Sequence, residues 1–225
     1  MIAIIGAMEE EVKAILELTT ECKQKIIHGI DFYEAKLAQR DVVIMRSGVA
    51  KCAATLSTTI LFEHYDIEGV INIGTAGGLD DTMQVLDVVV STHVCNYDLD
   101  VPGWDKDIHN PKVSFKANEA YVKKALEIIG EDEHVHVGLV ATGDTFVHEP
   151  WQIKRIKDAY PAALCAEMEG SAIGQVCQHY QKPFVIIRSL SDVCTQGNSV
   201  ISFEEYLAKA SVRSAMWTQQ FVASI

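Results

Sequence analysis

The stretch Ile2-Ala3-Ile4-Ile5-Gly6 is a short apolar run, and residues 8–19 follow it with apolar side chains at helical spacing. An apolar run of this length that ends in glycine is typical of a strand buried on both faces. The same alternation of apolar runs and helix-period stretches recurs along the chain. Such alternation favours a parallel central sheet with right-handed crossovers and helices on both faces.

The predicted elements cover the whole chain, and no repeat, low-complexity tract or linker divides them. We therefore expect one α/β domain over residues 1–225, with a mixed, mostly parallel twisted sheet flanked by helices. The irregular stretch 96–117 has the length of a functional loop. Strands are predicted at Ile2–Ile5, Asp31–Leu37, Val42–Ser47, Val70–Ile73, Val85–Val94, Val135–Ala141 and Phe184–Leu190, and helices at 8–19, Ala50–His64, Asn118–Ile129, Pro150–Tyr160, Ala166–Tyr180 and from a capping box at Ser202–Glu205.

The composition excludes several classes of protein. The chain carries 19 Lys and Arg against 31 Asp and Glu, and a net charge of -12 disfavours a nucleic-acid or anionic membrane partner. It has no apolar run long enough to span a membrane and no signal-peptide pattern at its start. The six cysteines form no CxxC pair, which predicts free, buried or half-buried thiols. We expect a cytoplasmic protein without a metal site.

Glu11 is the first candidate for a functional side chain. It falls on the same arc of the predicted helix as Val12 and Ile15, whereas Glu9 and Glu10 project elsewhere. A carboxylate on an apolar face is costly unless it is paired or functional, and burial raises its pKa toward values useful to a general base. A salt bridge at the helix edge is the structural alternative.

Two further carboxylates flank Met168 at the start of the predicted helix 166–180. The helical wheel places Glu169 near the centre of the apolar stripe and Glu167 on nearly the opposite side. We therefore expect Glu169 to point inward, where a buried carboxylate suits a pair of sugar hydroxyls. Glu167 is expected to be a surface charge that opposes the helix dipole.

The third candidate is Asp192, which follows the predicted strand Phe184–Leu190. An Asp at this place is often only the N-cap of the next element, but Ser191 beside it can orient the carboxyl group. All three acidic sites follow buried strands, at the edge where open α/β sheets bind ligands. Carboxylates that converge there indicate acid/base chemistry at a glycosidic bond.

The remaining motifs indicate less about function. The glycine run Gly74–Gly78 matches neither nucleotide-binding fingerprint, so close approach to a small ligand is its expected use. His134 and His136 have no partner at metal-ligand spacing. Phe146, Trp104 and Phe203 are candidates for stacking on a base, with core packing as the alternative.

Taken together, these motifs form a known pattern. The chain resembles the 5'-methylthioadenosine/S-adenosylhomocysteine nucleosidases of the nucleoside phosphorylase superfamily over essentially its whole length. The stretches that carry the resemblance, in the same order along the chain, are Ile4–Val12, Asn72–Gly78, Thr142–Phe146, Glu167–Glu169, Ser191–Val193 and Ser202–Glu205.

The resemblance implies a homodimer that hydrolyses the N-ribosidic bond of an adenine nucleoside without metal or cofactor. Glu11 and Asp192 would be the catalytic residues, one positioning the attacking water and the other protonating N7 of the leaving adenine. Glu169 would bind the ribose 2'- and 3'-hydroxyls. The positions implied to bind substrate are Met8, Thr75, Phe146, Val147, Glu167, Met168, Glu169, Arg188, Ser191, Phe203, Val101 and Trp104.

The chain departs from the family in the loop 98–112, which in the family reaches into the partner subunit's site and covers the 5' substituent. Typical members have Thr-Ala-Phe-Gly-Tyr after an Asp-Val pair, but this chain continues with Pro102-Gly103-Trp104-Asp105 and is a few residues shorter. The choice among methylthioadenosine, S-adenosylhomocysteine, 5'-deoxyadenosine and aminofutalosine therefore stays open. The stretch Thr195–Ser199 is also one residue longer than in the family.

Two other functions are compatible with these motifs. Phosphorylases of the superfamily usually carry an arginine where this chain has Asn72, and they lack the motif around Glu11, so hydrolysis is favoured over phosphorolysis. A nucleoside-binding or storage protein of the same fold is the non-enzymatic alternative.

Overall fold

The computed structural model describes residues 1–130, 134–196 and 199–225, except for the side chains of residues 199–202 and 204. Ten strands and six α-helices lie in these ranges. The strands are β1 (Ile2–Gly6), β2 (Thr20–Ile27), β3 (Ile30–Leu37), β4 (Arg40–Arg46), β5 (Gly69–Gly78), β6 (Val88–Asn96), β7 (Ser114–Lys116), β8 (Val135–Thr142), β9 (Ala163–Glu167) and β10 (Phe184–Val193). The helices are α1 (Glu9–Leu16), α2 (Lys51–His64), α3 (Glu119–Ile129), α4 (Pro150–Ala159), α5 (Gly170–His179) and α6 (Ser199–Ser224).

One mixed sheet joins these strands. Its order is β10-β6-β8-β9-β5-β1-β4-β3-β2, and β7 pairs with β6. Because β10 also pairs with β5, the strands β5, β10, β6, β8 and β9 close into a ring. Among the described strands, parallel and antiparallel pairings are equal in number. The predicted α/β fold with a mixed sheet is confirmed, with more antiparallel pairing than expected.

Helices cover both faces of the sheet, as predicted. On one face α1, α3 and α6 bury side chains such as Ile15, Ile129 and Phe221 against the strands. On the other face α2 and α5 do the same with Leu61 and Ile173. The sheet is therefore held between two apolar layers, which leaves the ends of its strands as the place where polar side chains meet.

The predicted helix 166–180 is partly wrong. Ala163–Glu167 forms β9, which pairs with β8 and β5, and α5 begins only at Gly170. A short apolar run has no period that separates a buried strand from a helix start. Glu167 consequently lies on a strand, and the wheel argument that placed it on the surface does not apply to it.

Other boundaries also differ from the prediction. The strand predicted at Val70–Ile73 is longer than expected, because β5 continues through the glycine run Gly74–Gly78. The edge strand β2 was missed because almost all of its residues are exposed, so no buried alternation marks it. Helix α6 begins at Ser199, before the predicted capping box, and the side chains of Ser202 and Glu204 lie outside the described residues.

Three smaller expectations have mixed outcomes. Asn118 caps α3 as predicted, because its Oδ1 accepts the Tyr121 N–H at 3.1 Å. The six cysteines are free, but Cys22 and Cys52 are exposed, contrary to the expectation of burial. Residues 197–198, within the longer stretch Thr195–Ser199, lie outside the described residues.

Candidate active site

A cavity of about 350 Å³ lies at one edge of the sheet, where the ends of β5, β9 and β10 meet the start of α1. It brings together the carboxyl groups of Glu11, Glu167, Glu169 and Asp192, which come from three separate segments of the chain. Its lining consists of Ala7, Met8, Glu11, Val49, Thr75, Ala76, Gly77, Thr145, Phe146, Val147, Ala166, Glu167, Met168, Glu169, Ser191, Asp192, Cys194 and Phe203.

Glu11 is buried at this edge, on the face of α1 that the sequence predicts. Its Oε2 accepts the backbone N–H groups of Ala7 at 2.7 Å and Met8 at 3.1 Å. Its Oε1 accepts the Thr75 N–H at 3.1 Å. Burial raises the pKa of Glu11, although the charge of Arg188 and these three donors act in the opposite direction. A carboxyl group held in this way is suited to accept a proton.

Arg188 lies beneath the cavity and is 1% exposed. Its Nη2 donates to Asn72 Oδ1 at 2.7 Å and to Glu167 Oε2 at 2.5 Å, and it stands 3.8 Å from Glu169 Oε2. Burial lowers the pKa of Arg188, but the charges of Glu167, Glu169 and Glu11 outweigh it and raise the pKa overall. The guanidinium therefore stays charged between the carboxylates.

Glu167 is buried, which contradicts the expected surface position. Besides Arg188, it accepts hydrogen bonds from the Thr142 hydroxyl and from the backbone N–H groups of Glu169 at 3.1 Å and Gly170 at 2.7 Å. Four donors thus bind its two oxygens. The position that the sequence assigned to substrate binding borders the cavity, but its carboxylate is engaged by the protein itself.

Glu169 is the inward carboxylate that the wheel predicts, although it caps α5 and does not lie within the helix. Its Oε1 accepts the Ala50 N–H at 2.9 Å. Burial and the neighbouring charge of Glu167 raise its pKa to about 7. This carboxyl group therefore changes its charge near neutral pH.

Asp192 lies at the end of β10, opposite Gly77 of β5. The Ser191 hydroxyl donates to its Oδ1 at 2.9 Å, and the Cys194 thiol donates to its Oδ2 at 3.6 Å. A Cβ atom on Gly77 would lie 3.0 Å from Asp192 Oδ2 and 2.4 Å from Cys194 Sγ. Glycine is therefore needed at position 77 so that β5 can approach this carboxyl group.

Apolar side chains form the rest of the cavity wall. The ring of Phe146 packs edge-on against that of Phe203 at 5.6 Å, and Phe146 is 37% exposed. Met8 and Met168 are half-buried and also border the cavity. Val147 is buried, and its carbonyl accepts a hydrogen bond from the Cys194 thiol at 3.4 Å.

Three predicted substrate-binding residues do not border the cavity of their own chain. Arg188 lies behind the carboxylates that line it, and Val101 and Trp104 stand on the loop 98–112. The loop that carries them is tied to the cavity wall at its start, where Asp98 forms an ion pair with Lys51 and its Oδ2 accepts the Asp144 N–H at 2.9 Å. The family resemblance implies that Val101 and Trp104 contact substrate in the site of a partner subunit.

Sequence reasoning missed several residues that position the site. Thr142 links Glu167 to α5, because its hydroxyl also accepts the Ser171 N–H at 2.8 Å. Asn72 and Ala50 contact Arg188 and Glu169 from distant segments. The threonine stands in the Thr142–Phe146 motif, but nothing in the local pattern indicates its partner.

The described residues offer neither a metal site nor a membrane-spanning helix. They contain no group of three or more His, Cys, Asp and Glu side chains arranged to hold a metal ion. No helix within the described ranges combines the length and apolarity needed to cross a membrane.

Comparison with known proteins places this geometry in a family. The phosphorylase superfamily model matches residues 1–223. A 5'-methylthioadenosine/S-adenosylhomocysteine nucleosidase from Marinomonas sp. (strain MWYL1) is 38% identical over 227 residues, with 99% of this chain and 98% of that protein covered. A protein of the same name from Bacillus thuringiensis (strain Al Hakam) is 39% identical over 218 residues, covering 95% and 94% of the two chains.

Solved structures of nucleosidases with the same name are also similar to this chain. The nucleosidase from Neisseria meningitidis in complex with methylthio-immucillin-A superposes with a TM-score of 0.93 at 33% identity, covering 100% of this chain and 99% of that chain. The Colwellia psychrerythraea 34H nucleosidase in complex with adenine gives a TM-score of 0.90 at 36% identity, covering 98% and 93%. The chain belongs to the 5'-methylthioadenosine/S-adenosylhomocysteine nucleosidases of the phosphorylase superfamily.

Proposed function

We propose that the protein hydrolyses the N-ribosidic bond of 5'-methylthioadenosine and S-adenosylhomocysteine, releasing adenine and the thioribose product. The observation that carries this proposal is the meeting of Glu11, Glu169 and Asp192 around one cavity of about 350 Å³. A cleaved ribosidic bond passes through an oxocarbenium-like cation, which such an acidic site stabilises electrostatically. Water is the second substrate, without a metal or cofactor.

Glu11 activates the attacking water on one side of the sugar. A Cβ atom on Gly74 would lie 2.8 Å from Glu11 Oε1 and 3.1 Å from Arg188 Nη1, so these two groups approach the same small region. Arg188 Nη1 has no hydrogen-bond partner within the described protein. The guanidinium N–H is thus placed to orient the water oxygen, while Glu11 accepts the proton that the water loses as it attacks C1'.

Asp192 acts on the other side of the reacting bond. It gives a proton to N7 of adenine, so the bonding electrons leave with a neutral base. Ser191 holds Oδ1 and thereby fixes the direction of the carboxyl group. Phe146 stacks on the adenine ring, and the Val147 backbone meets its edge.

Glu169 binds the ribose 2'- and 3'-hydroxyls, with Met168 packed beneath the sugar. The Ala50 N–H occupies only Oε1 of Glu169, so Oε2 faces the substrate with Arg188 behind it at 3.8 Å. In its ionised form this carboxylate strengthens the oxocarbenium character of the transition state.

The charges around the cavity favour water over phosphate. Four carboxyl groups surround it, and the guanidinium of Arg188 is already bound by Glu167. The amide of Asn72, at the position where phosphorylases usually carry arginine, is also engaged, with Nδ2 donating to the Ile5 carbonyl at 2.8 Å. An inorganic phosphate dianion would meet mainly like charge here.

The deciding experiment is adenine release from methylthioadenosine in phosphate-free buffer. We expect adenine release without phosphate, and no ribose 1-phosphate product. A requirement for phosphate would identify a phosphorylase. Tight binding of methylthioadenosine without adenine release would identify a nucleoside-binding protein. The Asp192→Asn variant should lose about 100-fold or more in kcat with little change in substrate Kd. Glu10→Gln, at an exposed carboxylate next to Glu11 in α1, should match wild type.

The assembly and location belong to the same proposal. The protein acts as a cytoplasmic homodimer in which loop 98–112 of one subunit covers the 5' substituent in its partner's site through Val101 and Trp104. This loop departs from the usual family sequence, so the choice of 5' substituent has to be measured. The substrates to compare with methylthioadenosine are S-adenosylhomocysteine, 5'-deoxyadenosine and aminofutalosine. Their kcat/KM values relative to methylthioadenosine then define the substrate range.

A further inference from the structure

A backbone irregularity lies just before the proposed acid, on the side of β10 that faces away from β5. The Leu86 N–H donates to the Leu190 carbonyl at 2.7 Å, and the Leu190 N–H donates to the Asp87 carbonyl at 2.8 Å. Leu86 and Asp87 thus both pair with the single residue Leu190. Two residues of one strand opposite one residue of its neighbour form a β-bulge. The φ of Leu86 is 74°, in the left-handed region that normally requires glycine.

The Asp87 side chain holds this strained turn. The carboxylate is 5% exposed, and its Oδ2 accepts the Gln84 N–H at 2.9 Å while the Asp87 N–H donates to the Gln84 carbonyl at 3.0 Å. His136 Nε2 lies 2.8 Å from Oδ2, and His134 Nδ1 lies 3.4 Å from Oδ1. His134, directly before β8, and His136, within it, therefore anchor a carboxylate that stands just before β6.

Arg213 of α6 supports the same turn from another direction. Its Nη1 donates to the Leu86 carbonyl at 3.2 Å, and its charge acts on Asp87. Strained backbone of this kind persists only where its surroundings determine it, and it concentrates at functional sites.

Strand β10 connects this turn to the active site, because Leu190 and Asp192 both belong to it. Leu190 is the last residue before the register of β10 against β5 shifts, and Asp192 is the first residue after it. Both backbone hydrogen-bonding groups of Leu190 are bound by the turn at Leu86 and Asp87. Any movement of that turn is passed through Leu190 and Ser191 to the Asp192 carboxyl group. A displacement of about 1 Å in a reacting group costs on the order of 100-fold in rate.

We propose that Asp87 is a positioning residue for Asp192: its carboxylate locks the turn that holds Leu190 and thereby aims the acid at the leaving base. This inference rests on the proposed role of Asp192 as the leaving-group acid. Asp87 itself does not border the cavity, so it acts through the backbone of Leu190.

The test compares two leaving groups. Adenine must be protonated as it leaves methylthioadenosine, whereas nitrophenolate leaves a 4-nitrophenyl 5-methylthioribofuranoside without an acid. We expect Asp87→Ala to lower kcat for methylthioadenosine about tenfold, with KM changed less than about twofold. Activity on the nitrophenyl riboside should stay within about twofold of wild type. Asp87→Asn keeps an acceptor for the Gln84 N–H, so its kcat for methylthioadenosine should lie between those of wild type and Asp87→Ala.

Two controls separate the outcomes. Asp81→Asn, an exposed carboxylate just ahead of the same turn, should match wild type on both substrates. Asp192→Asn should show the same leaving-group pattern as Asp87→Ala, with a larger loss. If wild type does not hydrolyse methylthioadenosine, the proposed function fails; if only Asp192→Asn discriminates between the leaving groups, the role of Asp87 alone is wrong.

A structural role without positioning predicts a different result. Equal losses on the two substrates in the Asp87 variants would overturn the inference. If Asp87→Ala does not fold, Asp87→Asn and His136→Gln carry the comparison, since both change the anchor by only a few atoms. An unchanged substrate ratio in these two variants would equally reject it.

Discussion

Glu167 neutralises the buried guanidinium beneath the cavity. The two side chains are each 1% exposed and lie 2.5 Å apart. The attraction offsets the cost of removing both charges from water, but only while both partners are present. Glu167 is therefore the partner that contributes most to keeping Arg188 charged, with Glu169 and Glu11 adding to its effect.

Removal of this charge should destabilise the fold. In Glu167→Gln the amide retains part of the hydrogen bonding to Thr142, but Arg188 loses its closest ion-pair partner and keeps only the more distant Glu169 carboxylate at 3.8 Å. We expect the free energy of unfolding in urea to fall by about 3 kcal/mol. Glu10→Gln, at an exposed carboxylate, should change it by less than about 0.5 kcal/mol. Equal values for the two variants would contradict the buried ion pair.

Whereas the charge of Glu167 stabilises the fold, the charge of Glu169 lowers the free energy of unfolding. Its pKa rises from 4.5 to about 7 on folding, so the folded protein binds the proton more tightly than the unfolded chain. Between these pH values the unfolded state loses the proton first, and the free energy of unfolding falls as pH rises. The ionised form that the proposed reaction uses is thus the form that the fold tolerates less well.

This gives a pH-dependent prediction for Glu169→Gln. The variant lacks the titrating group, so its stability relative to wild type should increase as pH is raised from about 5 to about 8. Urea titrations of both proteins at the two pH values measure the difference. A difference that stays constant, or that moves in the other direction, would show that burial does not raise this pKa.

At the scale of elements, the start of α2 is held in a costly conformation. Ala50, the residue before the helix, has a φ of 76° and a ψ of 165°, a region that glycine occupies far more readily. Its N–H nevertheless donates to Glu169, so the helix start delivers a backbone donor to the site. The strain is the consequence of aiming that donor.

Glycine at this position should therefore stabilise the protein. We expect Ala50→Gly to raise the free energy of unfolding by about 1 kcal/mol, because relief of the strain exceeds the added freedom of the unfolded chain. The matched change Ala53→Gly, within the regular part of α2, should lower it by about 1 kcal/mol. Thermal and urea unfolding measure both, and a loss of stability in Ala50→Gly would refute the strain.

The start of α1 shows how far local patterns reach. The helical period placed Glu11 on the buried face because strand, turn and helix follow one another directly in the sequence. The same reasoning failed for Glu167, since the run before it pairs as β9 inside the closed ring. A wheel argument holds only where the element itself has been identified correctly.

For the whole molecule, the proposed homodimer makes each site depend on two chains. Residues Val101 and Trp104 lie outside the cavity of their own subunit. Trp104 is 37% exposed, with Lys112 Nζ 4.8 Å from its ring centre. An exposed aromatic side chain on a loop beside the site is suited to cover a ligand held by another subunit.

Subunit mixing tests this arrangement. A Val101→Asp/Trp104→Ala subunit retains its carboxylates, and an Asp192→Asn subunit retains its loop. Each should be nearly inactive alone, but co-expression in equal amounts should restore about a quarter of the wild-type activity, since half of the dimers contain one complete site. Activity equal to the average of the two parents would show that each chain completes its own site.

The sequence by itself determined the alternation of strands and helices, the buried face of α1 and the family motifs, because these depend on the spacing of neighbouring residues. Only the tertiary structure decided that β5 and β10 pair to close a ring and that Glu167 is buried against Arg188. It also brought Asn72 to Arg188 and Ala50 to Glu169, across 116 and 119 positions of the chain. Hydrogen bonds over such separations depend on how the elements pack, and no local pattern of residues encodes them.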